Sequence, residues 1–248
     1  MKNTFTLFLF IIFIYGLSYS QTYVKLGGGY NLSFNSEVIG INETYSSTGN
    51  TAYEAVNGSL GEGVNIVGAL GYNFSPYISG ELGVIYKLST EFETKYQYEN
   101  ESITSTYSGS FWGFVPTLVL NAPLDNVKPF MKVGLLIAIP ASEIEMVYSS
   151  VYSSGGTAKG TFSTAVDFGL IGGAGILVPL STKINFIVEF DFTSFTWKPT
   201  EAEYTDSEGN TFKYKFEDEW NSDDEYTEGP MFIPFSNVGL NIGVQIGL

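Results

Sequence analysis

The sequence predicts an all-β chain, an eight-stranded antiparallel up-and-down transmembrane β-barrel with long extracellular hairpin loops. Three observations point there. Eight segments alternate apolar and polar residues with a period of two. The connections between them are short and long in strict turn. Beyond the N-terminus no stretch approaches about 18 consecutive apolar residues, so a chain that enters lipid must do so as a closed barrel.

The first element is an export signal over residues 1–20. Lys2 supplies a positive start and an apolar run follows from Phe5 to Leu17. Ser18-Tyr19-Ser20 places small residues at the −3 and −1 positions, so cleavage is expected before Gln21. The run is too short for the roughly 20 residues of a spanning helix. The barrel is then expected over residues 21–248. The chain has no cysteine, which excludes a lipid-anchored N-terminus, a disulfide framework and a thiolate metal site.

The eight segments follow in order. The first, about Tyr23 to Phe34, sets Val24, Leu26, Gly28, Tyr30, Leu32 and Phe34 against Lys25, Gly27, Gly29, Asn31 and Ser33. The second, about Gly63 to Phe74, sets Val64, Ile66, Gly68, Leu70 and Tyr72 against Asn65, Val67, Ala69 and Gly71. The third, about Tyr77 to Ser89, sets Ile78, Leu82, Val84, Tyr86 and Leu88 against Ser79, Glu81, Gly83, Ile85 and Lys87. The fourth, about Ser110 to Asn121, carries Trp112, Phe114, Leu118 and Leu120 on one face, and Pro116 predicts a bulge because it lacks a ladder donor. The fifth, about Pro129 to Ile139, alternates Met131, Val133, Leu135 and Ile137 with Lys132, Gly134, Leu136 and Ala138. The sixth is expected over Phe162 to Leu180, with Asp167, Gly173 and Gly175 on its polar face. The seventh, about Lys183 to Phe192, alternates Ile184, Phe186, Val188 and Phe190 with Asn185, Ile187, Glu189 and Asp191. The eighth, Val238 to Leu248, alternates without a break. Each reaches the roughly 9–11 residues that a tilted strand needs to cross a bilayer.

Three connections are short: Ser75-Pro76, Pro123 to Lys128, and Ser181-Thr182. Four are long, at about 35–62, 90–109, 140–161 and 198–233. Short periplasmic turns and longer extracellular loops have this pattern. The long connections still alternate, as in Glu91 to Tyr98 and Thr211 to Phe216, and they hold turn signals at Ser153-Ser154-Gly155-Gly156 and Ser207-Glu208-Gly209-Asn210. They are expected to continue the strands as hairpins above the membrane.

Face chemistry gives the direction. The polar face is small and sparse, so it cannot solubilise an exterior but can fill a narrow interior. The apolar face carries almost no charge, as expected where a lipid-facing lysine at mid-depth costs about 2–4 kcal/mol. Aromatics near strand ends predict interfacial girdles, with Tyr23, Phe74, Tyr77 and Phe130 low and Phe34, Trp112, Phe192 and Trp197 high.

The assembled pattern resembles the small outer-membrane barrels of Gram-negative bacteria, the OmpA and OmpX barrel group and the PorT-like barrels of the Bacteroidetes. The resemblance covers Tyr23 to Leu248 and is most specific in the terminal strand Val238 to Leu248. It implies an outer-membrane location and a final aromatic residue, where this chain has Leu248.

Chemistry is constrained by what is missing. There is no histidine, which removes Ser-His and Asp-His catalysis and most transition-metal sites. No enzyme activity, cofactor or metal is expected. A net charge of −15, with lysine as the sole basic residue type, argues against nucleic acid. The inward charges are Lys25, Glu81, Lys87, Lys132, Asp167, Glu189 and Asp191, and they are expected to form an ion-paired network that fills the lumen. About twenty of the 26 acidic residues lie in the long connections, the densest run being Glu217 to Glu225. That run lacks an ordered Ca²⁺-loop pattern and reads as a solvated loop.

Two functions fit. One is a monomeric, surface-exposed structural or adhesion-type protein with outer-membrane lipid around it and a surface protein partner on its loops. The other is a narrow pore with cation preference from Asp167, Glu189 and Asp191, favoured by the glycine-rich inner face. The PorT-like resemblance adds an accessory role in a secretion machine.

Overall fold

The computed structural model describes residues 22–33, 37–45, 51–99, 101–124, 126–150, 155–164, 166–216, 227–228 and 231–248. The expected signal segment, and Phe34 of the expected girdle, lie outside them. In chain order the strands are β1 (Thr22–Ser33), β2 (Glu37–Tyr45), β3 (Thr51–Gly58), β4 (Gly63–Asn73), β5 (Ile78–Ser89) and β6 (Phe92–Tyr98). Then come β7 (Glu101–Asn121), β8 (Lys128–Ser150), β9 (Gly156–Ser163), β10 (Asp167–Pro179), β11 (Ile184–Ser194) and β12 (Thr196–Trp197). The last are β13 (Glu201–Thr205), β14 (Thr211–Phe216), β15 (Thr227–Glu228), β16 (Ile233–Pro234) and β17 (Asn237–Gly247).

Eight of these close a barrel in the order β1-β4-β5-β7-β8-β10-β11-β17, every neighbour antiparallel. Closure is made by the first and last strands, which pair from Tyr23 with Gly247 to Ser33 with Asn237. A closed ladder leaves no edge in the hydrocarbon layer. The alternation fixes which way each strand turns. Leu26, Tyr30 and Leu32 of β1 and Leu240, Ile242 and Ile246 of β17 are exposed outside, while Lys25, Asn31 and Asn241 are buried inside. Where the eight strands form the barrel wall, no outward position carries a charge; the outward glutamates of β8, Glu143 and Glu145, lie beyond it.

Two of the short turns are built alike. Ser75 Oγ accepts the Tyr77 and Ile78 N–H groups, and Ser181 Oγ accepts those of Lys183 and Ile184. A serine at the turn start thus supplies acceptors that the ladder cannot.

At the opposite end the strands outgrow the barrel. The β7–β8 pair runs from Glu101 with Ser150 down to Asn121 with Phe130. Around it a crest assembles, ordered β3-β2-β6-β7-β8-β9-β13-β14-β15 among the described residues. The sequence places the fifth strand's end near Ile139, yet β8 continues through Pro140 to Ser150. Phe162, expected within the sixth strand, belongs instead to β9 and pairs with Ser142 and Ala202 in the crest. Pro116 makes no bulge. The β7–β8 register is unchanged across it, from Phe114 with Ile137 to Thr117 with Gly134, and Pro116 still sits opposite Leu82 of β5. The missing N–H is accommodated by a gap in one ladder, at no cost in register.

Candidate functional site

The lumen is layered. At the turn end a vestibule of about 510 Å³ opens between Asn73, Asn121, Asn185 and Gln245, with Lys128 and Lys183 among its lining residues. The next layer is ionic. Glu189 on β11 accepts Lys25 of β1 at 2.9 Å and is paired with Lys132 of β8. Lys25 also lies 3.6 Å from Glu81 of β5, which accepts the Tyr23 hydroxyl at 2.9 Å. Lys25 further sits 4.9 Å over the Phe130 ring.

Above this lies an amide layer. Lys87 Nζ donates to Asn237 Oδ1 at 2.7 Å, and Asn241 Nδ2 donates to Asp191 at 2.9 Å. Neither Lys87 nor Asp191 is in an ion pair among the described residues. Asn31 Oδ1, Asp191 Oδ1, Asn241 Oδ1 and both amide atoms of Asn65 have no protein partner there. Atoms of this kind are the ones internal water serves. Gly239 lies opposite both Asn31 and Asp191, where a Cβ would overlap their oxygens. Only glycine leaves room for two polar side chains to lean over the same spot.

Of the seven inward charges singled out in the sequence, Lys25, Glu81, Lys132 and Glu189 come together. Asp167 stands apart. It begins β10 at the rim and accepts the backbone N–H groups of Phe168 and Lys198 at 2.7 and 3.2 Å. Its carboxylate closes a strand start at the rim.

The mouth at the crest end is apolar and filled. Leu60, Phe111, Phe195, Trp197 and Phe235 are all fully buried, with Trp197 at 0% exposure. Phe111, Phe195 and Phe235 meet with ring centroids 5.6–5.8 Å apart. Two chain segments are tied in to build this plug. Leu60 N donates to Pro234 O and Phe235 N to Phe195 O, both at 2.9 Å. The expected girdle is corrected in three places. Tyr23, Phe130 and Trp197 point inward and are buried, while Phe74, Tyr77, Trp112 and Phe192 are exposed outside. The plug had a signal in the sequence: the inward odd positions of β11 continue as Thr193, Phe195 and Trp197 past the strand's end.

Three of the inner glycines leave no gap in the lumen. A Cβ at Gly71 would strike the Tyr23 ring, one at Gly113 would strike Ile85 and Leu136, and one at Gly173 would press on Lys132. Neighbouring side chains fold over each of them.

The crest has two unlike faces. Directly opposed residues share a face, so Tyr53, Glu43, Tyr96, Ile103 and Tyr148 form one row across β3, β2, β6, β7 and β8. Tyr45 and Tyr98 stand in the next row, with Tyr45 ring centroids 5.5 Å from Tyr96 and 5.4 Å from Tyr98. This face continues the lumen side, and lower down it buries Ile144, Ala158, Phe162 and Ala202 against the plug. The other face is polar, with rows such as Glu93, Thr106, Glu145 and Lys159. Its ion pairs, Lys95–Glu93, Lys159–Glu145 and Lys213–Glu203, are well exposed and so add little stability. Partial desolvation among its neighbours, then the Glu43 carboxylate, push the Tyr45 phenol up to about 12. At the β13–β14 tip, hydrogen bonds from the Asn210 side chain and backbone hold the Asp206 carboxyl below its ordinary value. Gly209 turns there with φ +88°, a conformation that suits glycine.

No protein-family model matches the chain, and no curated protein matches its sequence. Solved structures do. Neisserial surface protein A is 10% identical with a TM-score of 0.39, over 91% of this chain and 96% of its own. A major outer membrane protein from Thermus thermophilus is 12% identical with a TM-score of 0.49, over 92% and 99%. The outer membrane protease OmpT from Escherichia coli is 10% identical with a TM-score of 0.39, over 92% and 96%. These names span a surface protein and a protease, so likeness at this level assigns no activity. The closed ladder and its uncharged, apolar exterior make the chain an eight-stranded transmembrane β-barrel of the outer-membrane kind.

Proposed function

We propose that the chain is a non-enzymatic, non-conducting outer-membrane barrel that anchors an interaction surface, the crest, outside the cell. Short turns on the periplasmic side and the crest on the extracellular side follow the usual arrangement of such barrels. The observation that carries the reading is the filled lumen beneath a tyrosine-rich sheet. An ionic layer and an aromatic plug lie in series, and packed side chains of this kind narrow the path that conduction needs. The crest places large amphipathic side chains above that plug. Tyrosines of this kind supply contact area at low entropic cost. The lack of any histidine supports a non-catalytic role.

The test is conductance of the folded mature barrel in a planar bilayer. A silent bilayer is expected. Steady, reproducible channels from correctly folded protein would overturn the closed lumen and return the function to a pore.

A further inference from the structure

We propose that β3 is an acceptor edge: it takes an extended, lysine- or arginine-bearing segment of another protein as an added strand beside the tyrosine rows. The inference rests on the reading of the crest as an interaction surface.

The edge is open. β3 ends the crest sheet and pairs with β2 alone among the described residues. It spans eight residues, Thr51–Gly58, with neither proline nor lysine to discourage pairing. A bulge lies between Val38 and Gly40 at the lower end of the β2–β3 ladder, while the upper end is regular from Gly40 with Val56 to Tyr45 with Thr51. The regular part is the part beside the tyrosines. Tyr53, on β3 itself, is 64% exposed, and Ile41, Tyr96 and Tyr98 are exposed on the same face.

Charge selects the occupant. Within residues 37–58 and 92–101, six glutamates face a single lysine. Glu54 lies on β3 itself, on the face away from the tyrosine row, and Glu43 lies in that row on β2, one strand further in behind Tyr53. A second copy of this acidic chain would bring more negative charge to the same edge. A cationic strand gains ion pairing with Glu54, and on the other face its ammonium or guanidinium groups find the ring of Tyr53. Backbone pairing supplies affinity and the alternating side chains supply selection.

The experiment uses the full barrel in detergent micelles, checked for folding by its heat-modifiable migration. The probe is a ten-residue peptide alternating lysine and threonine, with a glutamate–threonine peptide as its counterpart. Amide hydrogen exchange is followed across residues 51–58. The lysine peptide is expected to slow exchange there about tenfold or more, and the glutamate peptide to leave it unchanged. Tyr53→Ser, and separately Glu43→Gln with Glu54→Gln, are expected to weaken binding several-fold to about tenfold. Binding that leaves exchange in β3 unaltered, equal effects from both peptides, or no binding at about 1 mM would each overturn the proposal. Concentration-dependent protection of β3 without peptide would overturn it in favour of a second copy. Any of these with a silent bilayer would leave the closed surface barrel standing.

Discussion

Glu189 is the residue on which the lumen depends most. It is 3% exposed and meets two lysines that come from strands on either side of the barrel wall. Removing its charge leaves Lys25 leaning on Glu81 alone and leaves Lys132 without an ion pair among the described residues. Breaking a buried pair in this way costs about 3–5 kcal/mol, because a buried charge is left uncompensated. Glu189→Gln is therefore expected to lower stability by that amount in urea unfolding from lipid vesicles. Adding Lys132→Met should recover part of the loss. A wild-type unfolding midpoint for Glu189→Gln would mean that water enters the layer freely. The charges themselves were legible in the sequence by their position on the polar face. Their partners were not. Lys25 and Glu189 are 164 residues apart, and Asp167 looked identical in pattern while ending at a rim.

At the scale of elements, the plug and the crest were the parts that sequence patterning undervalued. The segments 59–62 and 233–236 carry no sustained alternation, so nothing local marks them as inward. Phe235 has 0% exposure and touches Phe111, Phe195 and Trp197. Phe235→Ala is expected to cost about 3–5 kcal/mol by leaving a cavity among these rings. The same unfolding measurement checks it, and a loss below about 1 kcal/mol would mean that the plug collapses without strain. The hairpins above the membrane were legible because β6, β13 and β14 keep a period of two. That they join into a single amphipathic sheet was not, because strand order among loops depends on which hairpins lie next to each other in space. β2 pairs with β6 in parallel, Glu43 meeting Tyr96 from a different loop.

For the whole molecule, the exterior is the decisive feature. Ile242 sits mid-strand on β17 with 56% exposure, while Gln245 lines the vestibule. Ile242→Lys is expected to cost about 2–4 kcal/mol in vesicles, and Gln245→Lys much less, since its side chain reaches water. Equal costs would contradict a bilayer around the barrel. Equilibrium unfolding from vesicles of fixed composition makes the comparison.

By itself the sequence determined the number of barrel strands, their faces, the alternation of short and long connections, and the uncharged belt. These are local properties: a strand's period of two and its burial pattern are written in adjacent residues, and closure demands an even count when both chain ends lie on one side. The tertiary structure alone decided which charges meet, what lies over inner glycines such as Gly71, and which aromatic rings pack together at the mouth. Those depend on stagger between strands and on the width of the closed barrel, which bring Lys25, Glu81, Lys132 and Glu189 within reach across an interior that no single strand describes. Inner glycines such as Gly71, Gly113 and Gly173 lie beneath a neighbour's side chain, which glycine content in the sequence does not reveal.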